Sequence, residues 1–204
     1  MNSVVFTKEV IEFVTVAKEY CIVMDSLNTM EREEFVLKIH KINSLLYLKA
    51  SLLTPPQTIY EIEIDRYVTE EMYGNTLVSL QRLLDNYDLS ILADPYTTDV
   101  EKENEWVYIS EILADTYQSL CDFLSVYRTG NEEMMNDALF ELISDFKELW
   151  GHKLLALQFV FHKTLYTDEY LELIERNTFD DSQPNTDKWF TEKRRKDWYG
   201  YDDE

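Results

Sequence analysis

Glycine and proline are scarce, with four of each in 204 residues. A phosphate-cradling loop and a Gly-x-Ser-x-Gly elbow both need glycines at close spacing, and the sequence holds neither. Cysteine is scarcer still. Cys21 and Cys121 form no Cys-x-x-Cys pair, and each falls on the apolar stripe of its own helical stretch, which reads as a small buried hydrophobe. There are three histidines, and no Ser, Cys or Lys stands in a recognisable activating setting, so nucleophilic catalysis has no support. No apolar run is long: the longest charge-free stretch, residues 50–60, contains Pro55 and Pro56 and falls far short of the ~20 residues of a membrane span. The start lacks a basic n-region, and Lys8, Glu9 and Glu12 break any signal-peptide core. A cytoplasmic protein is expected.

Basic residues are also in deficit. Forty acids against nineteen bases give a formal charge of −21. That field repels phosphates and anionic lipid headgroups, so neither nucleic acid nor membrane is an expected partner, whereas a basic protein is compatible. What the chain does have is apolar substance. A hydrophobic content of 45% and an aromatic content of 14% suffice for the core of one domain, which can reach roughly 250 residues before splitting.

The few breakers stand at the seams of long amphipathic stretches. Phe6, Val10, Phe13, Val14, Ala17, Cys21 and Met24 share one face at 3- and 4-residue steps and predict a helix over residues 4–24. Asn28 with Glu31 resembles a capping box for a second helix carrying Phe35, Ile39, Ile42, Leu46 and Leu53, stopped by Pro55-Pro56. Residues 57–68 alternate like a strand at Tyr60, Ile62 and Ile64, but no partner strand is evident, so an extended connection across the bundle is expected. Thr69 caps a third helix that buries Tyr73, Leu77, Leu80, Leu84 and Tyr87. After an irregular connection over residues 86–104, a fourth helix over residues 105–127 turns Trp106, Ile109, Leu113, Tyr117, Leu120, Leu124 and Tyr127 inward. Gly130 ends it and Asn131 caps the fifth, with Met135, Leu139, Leu142, Phe146 and Leu149 inside. At Trp150-Gly151 the pattern kinks or restarts, then continues through Leu154, Leu155, Phe159 and Leu165. The fold class is thus all-α: a single-domain bundle of five to six mostly antiparallel helices over residues 1–166. A loosely packed polar and aromatic extension occupies residues 167–204.

Three constellations bear on chemistry. Asp145, Glu148 and His152, at i, i+3 and i+7, share a helical face and form a candidate metal set. No second Glu-x-x-His completes a pair, and Leu142, Phe146 and Leu149 lie opposite, so a solvated stripe is the plainer reading and no cofactor is expected. Glu111, Asp115 and Asp122 form a second acidic stripe, read as facing solvent. In the extension, Trp189, Phe190, Trp198, Tyr199 and Tyr201 interleave with basic Lys193 to Lys196. The segment reads first as folding back on the acidic body, its basic cluster meeting Glu and Asp, and next as an arm whose aromatics are candidate contacts for another protein.

Several blocks carry a resemblance: Tyr67-Val-Thr-Glu-Glu-Met-Tyr73, Asp94-Pro-Tyr96, Leu113-Ala-Asp-Thr-Tyr-Gln-Ser-Leu-Cys-Asp-Phe123 and Phe146-Lys-Glu-Leu-Trp-Gly-His-Lys-Leu154. Over residues 8–166 the chain resembles a bacterial family known as domain of unknown function 5063. The resemblance implies an all-helical fold and no assigned activity. It singles out Asp115, Tyr117, Trp150, Gly151 and His152, and suggests a bond from Asp115 across to Trp150 or His152. A non-enzymatic, cytoplasmic protein-interaction module is therefore the leading expectation. The alternative is a small-ligand or metal-binding bundle, a possible enzyme, centred on His152 with Asp115, Tyr117 and Trp150.

Overall fold

A computed structural model describes residues 4–60, 66–92 and 106–167. Val5, Val10, Phe13, Ala17, Tyr20, Cys21 and Met24 are buried along the first stripe, and the helix they build, α1, spans Lys8–Asp25. Phe6, expected inside, is exposed, because a separate 3-10 turn over Val4–Phe6 precedes α1 and Val5 points inward instead. Helix α2 spans Arg32–Ser51. The expected Asn28 cap is not made: Glu31 holds the N-cap position, and the Asn28 side-chain carbonyl accepts from Arg82.

Helix α3 covers Glu70–Leu84, with the Thr69 hydroxyl accepting the Met72 amide at 3.2 Å. Helix α4 covers Ile109–Tyr127. It starts later than expected because residues 106–108 are strand β2, Trp106–Tyr108, paired antiparallel with β1, Ser90–Leu92. Trp106 is accordingly exposed. Asp88 anchors this corner by accepting both the Ser110 amide and hydroxyl, at 2.8 and 2.7 Å. Gly130 takes a φ of +73°, which glycine adopts without steric cost. The Asn131 side chain then accepts the amides of Glu133 and Met134 to begin α5, Glu132–Asp145.

Helix α5 does not end at a loop. It passes through a π segment, Phe146–Trp150, straight into α6, Gly151–Tyr166. The Gly151 amide donates to the Phe146 carbonyl, five residues back instead of four. The expected kink is therefore a turn holding one extra residue, which rotates everything beyond it by about 100° relative to a regular helix. For that reason Leu149, expected inside, is exposed, and Trp150 is buried. Leu155 and Phe159, also expected inside, are exposed, whereas Leu154 and Leu157 are fully buried.

Helix α1 packs on α2 and α4, α3 packs on α4, and α4 packs on α5 and the π segment. The core centres on α4, where Ile112, Leu113, Ala114 and Leu120 have no exposed surface. The fully buried Tyr20 donates its hydroxyl to the Leu113 carbonyl at 2.8 Å, fixing α1 against α4. Phe13 meets Phe123 edge-on at 5.9 Å. The chain divides into two compact units, Met1–Gln158 and Phe159–Glu204. In the second, residues 159–166 complete α6, and the Lys163 ammonium lies over the Phe159 ring. Of the expected C-terminal extension, all but Thr167 lies outside the described residues.

A Cβ at Gly151 would stand 2.3 Å from the Phe146 carbonyl oxygen, inside the π turn itself. Gly151→Ala should therefore destabilise the chain by about 1–3 kcal/mol in urea unfolding. Gly74→Ala, at a helical position with nothing within 4 Å, should be neutral or stabilising by up to about 1 kcal/mol. Equal effects at the two sites would show that the π turn is not what glycine serves.

Candidate functional site

Because α4 lies beside α5 and the π segment, polar residues on the facing sides of these helices enclose a cleft of about 280 Å³. Helix α4 supplies Asp115, Gln118, Ser119, Asp122 and Phe123, a regular i, i+3, i+4, i+7, i+8 row. Ala138, Glu141, Leu142 and Asp145 come from α5 at the same intervals, Leu149 and Trp150 from the π turn, and Lys153 from α6. Arg66 enters from the connection before α3. Four carboxylates and two cations thus share one recess with an apolar side.

The carboxylates are held in place. Asp115 accepts the Tyr73 hydroxyl at 2.8 Å, and burial followed by Asp115 itself pushes the Tyr73 phenol up, so it stays a donor. The Ser119 hydroxyl donates to Asp145 at 2.5 Å, tying α4 to α5. Asp122 accepts the amides of Tyr67 and Val68, each at 2.8 Å. Burial raises its carboxyl above the ordinary range, against the opposing pull of those amides and of Arg66.

The other end of the same connection is fastened similarly. Asp137, only 6% exposed, accepts the amides of Ile59 and Tyr60 at 2.7 and 2.8 Å and the Asn136 side-chain amide at 3.1 Å. Burial would push its carboxyl up, but the three donors outweigh it and hold the group below the ordinary value. The Tyr60 hydroxyl also donates to Glu133. The extended connection expected over residues 57–68 is therefore pinned to α5 at one end and α4 at the other, with residues 61–65 outside the described set.

Of the candidates singled out from sequence, Asp115, Asp145 and Trp150 meet in this cleft. Tyr117 does not line it: its hydroxyl donates to Asp25 on α1 at 2.8 Å, and burial, then Asp25, push that phenol up. Asp115 bonds Tyr73 and not Trp150 or His152. Among the described residues, the buried Trp150 indole N–H has no partner. Asp145, Glu148 and His152 do not converge, and among the described residues no group of three His, Cys, Asp or Glu side chains could hold a metal. The extra residue of the π turn breaks the i, i+7 alignment on which that set depended. Glu111, Asp115 and Asp122, read as facing solvent, are structural acceptors; Glu111 takes the Tyr108 amide at 2.9 Å. Glu141, Arg66 and Lys153 were not anticipated, and no local signal marks them. Trp189, Phe190, Trp198, Tyr199 and Tyr201 lie outside the described residues, and among the described residues no helix is long and apolar enough to cross a membrane.

A family model described as a domain of unknown function, DUF5063, matches residues 4–167. The crystal structure of protein BF1032 from Bacteroides fragilis is similar at 38% sequence identity and a TM-score of 0.69, over 80% of this chain and 96% of that one. No curated protein matches.

Asp137 and Asp122 should respond to pH in opposite senses. The Asp137 carboxyl is depressed in the fold, so its contribution is full above the unfolded value of about 3.9 and fades as pH falls through the folded one. Unfolding free energies should show Asp137→Asn most costly at neutral pH and nearly silent in strong acid. The raised carboxyl of Asp122 carries an ionisation cost at neutral pH, so Asp122→Asn should become relatively less costly as pH rises from 4 to 7. Parallel pH profiles for the two variants would contradict these assignments.

Proposed function

The chain belongs to the DUF5063 family, and from that premise we propose that it is a non-catalytic, cytoplasmic protein-binding module whose α4–π cleft receives a basic side chain of its partner. The observation that carries this reading is the convergence of Asp115, Asp122, Glu141 and Asp145 beside Leu142, Leu149 and Trp150. A Lys or Arg side chain needs both parts: carboxylates for its head and apolar surface for its methylene stem. Arg66 and Lys153 offset half of the acids, which leaves a surplus of negative charge for an incoming cation.

The size of the cleft suits a single long side chain. About 280 Å³ stands at the lower edge of the roughly 300–1,000 Å³ of small-molecule sites. The fixed bonds to Asp115, Asp122 and Asp145 suit acceptors kept in place, whereas a proton carrier in catalysis needs a group free to exchange its proton. A formal charge of −21 over the chain would speed encounter with a basic partner and make it salt-dependent. The aromatic set Trp189, Phe190, Trp198, Tyr199 and Tyr201 is proposed as a second point of contact on residue type alone.

Calorimetric titration with a short peptide of alternating Lys, Arg and Ser tests the reading, against the same peptide with Gln at the basic positions. The basic peptide should bind, weaken steeply with salt, and lose at least about tenfold in affinity in Glu141→Gln. Equal binding of both peptides, or no heat from either at millimolar concentration, would overturn it.

A further inference from the structure

Two thiols a hundred positions apart in the chain meet where α1 faces α4. The Cys121 Sγ lies 3.2 Å from the Cys21 Sγ, both are free, and they are only 9% and 7% exposed. A disulfide requires two cysteines on closely approaching backbone segments with their side chains turned toward each other. Here the two helices pack on each other with the sulfurs already in contact, so bond formation asks for a further approach of about 1 Å. The same two helices are also tied by the Tyr20 hydroxyl, which donates to the Leu113 carbonyl, and by the Tyr117 hydroxyl, which donates to Asp25. Neither the cleft nor its carboxylates use these thiols.

We propose that Cys21 and Cys121 form a redox-modification site, a dithiol that two-electron oxidation by a peroxide closes into a disulfide stapling α1 to α4. One thiol gives up its proton and its sulfur attacks a peroxide oxygen. The O–O bond breaks, and one water leaves with a sulfenic acid remaining on the protein. The second thiol's sulfur then displaces the sulfenic hydroxyl, which departs as water with that thiol's proton, and the S–S bond forms. Two thiols and one hydrogen peroxide thus yield one disulfide and two waters. The sulfurs are oxidised and the peroxide oxygens reduced.

The Cys121 thiol beside it, burial and the Asp25 carboxylate all push the Cys21 thiol up. Cys21 therefore holds less thiolate at neutral pH than an exposed low-pKa thiol, and its attack on a peroxide is correspondingly slower. Once made, the bond closes a loop of about a hundred residues and restricts the unfolded chain.

The full chain treated with hydrogen peroxide, then unfolded and alkylated with iodoacetamide, tests this on the native sequence. Intact mass should show a monomer lacking two hydrogens and carrying no alkyl groups, and peptide mapping should join the segments holding residues 21 and 121. The thermal midpoint should rise by about 10 °C and return on reduction with dithiothreitol. Cys21→Ala and Cys121→Ala should each remove the rise, whatever their own stability. Two alkylated thiols after oxidation, sulfinic or sulfonic products, or a dimer linked between chains would each overturn the proposal.

Discussion

One extra residue in the turn Phe146–Trp150 decides which side chains of the last helix face α4. Without it the helix would keep Leu149 on its buried stripe. With it, Trp150 goes under and Leu149 comes out to the rim of the cleft. The Gly151 amide reaches the Phe146 carbonyl five residues back, and only a residue without a Cβ fits against that carbonyl. Phe146 and Trp150 meet at 4.9 Å between ring centroids, so the turn is packed as well as hydrogen-bonded. A π turn gives poorer backbone bonding than a regular one and persists where side chains around it compensate.

Around that turn, aspartates serve as fasteners. Asp88 holds the start of α4, Asp122 and Asp137 hold the two ends of the connection before α3, and Asp145 takes a hydroxyl from α4. Each supplies a strong acceptor to amides or hydroxyls that a helix or strand does not satisfy, and burial would make those donors costly if left alone. Part of the chain's acidity is therefore structural. The remainder gives the surface its sign, and the cleft gathers four carboxylates where surplus charge meets apolar surface.

The regular parts of this architecture were legible in the sequence. The stripe of Val10, Phe13, Ala17, Cys21 and Met24 is the buried face of α1, and Thr69 and Asn131 cap as their positions suggested. The Asp115 and Trp150 blocks do come together. What escaped reading is what depends on distant partners. The strands of three residues each are too short to show a period, and they pair across an irregular connection. Asp122 and Asp137 look like ordinary surface acids until the amides of Tyr67, Val68, Ile59 and Tyr60 arrive beside them. Counting 3.6 residues per turn through Phe146–Trp150 carried His152 onto a face it does not occupy.

The binding reading and the geometry of the last helix stand together, because Leu149 and Trp150 join Leu142 in the cleft's apolar wall in the positions the π turn gives them. The most direct measurement is the scalar coupling carried across backbone hydrogen bonds in the isotopically labelled, deuterated protein. The account predicts a coupling from the Gly151 nitrogen to the Phe146 carbonyl carbon. A coupling from Gly151 to the Lys147 carbonyl carbon, the partner in an unbroken α-helix, would contradict it.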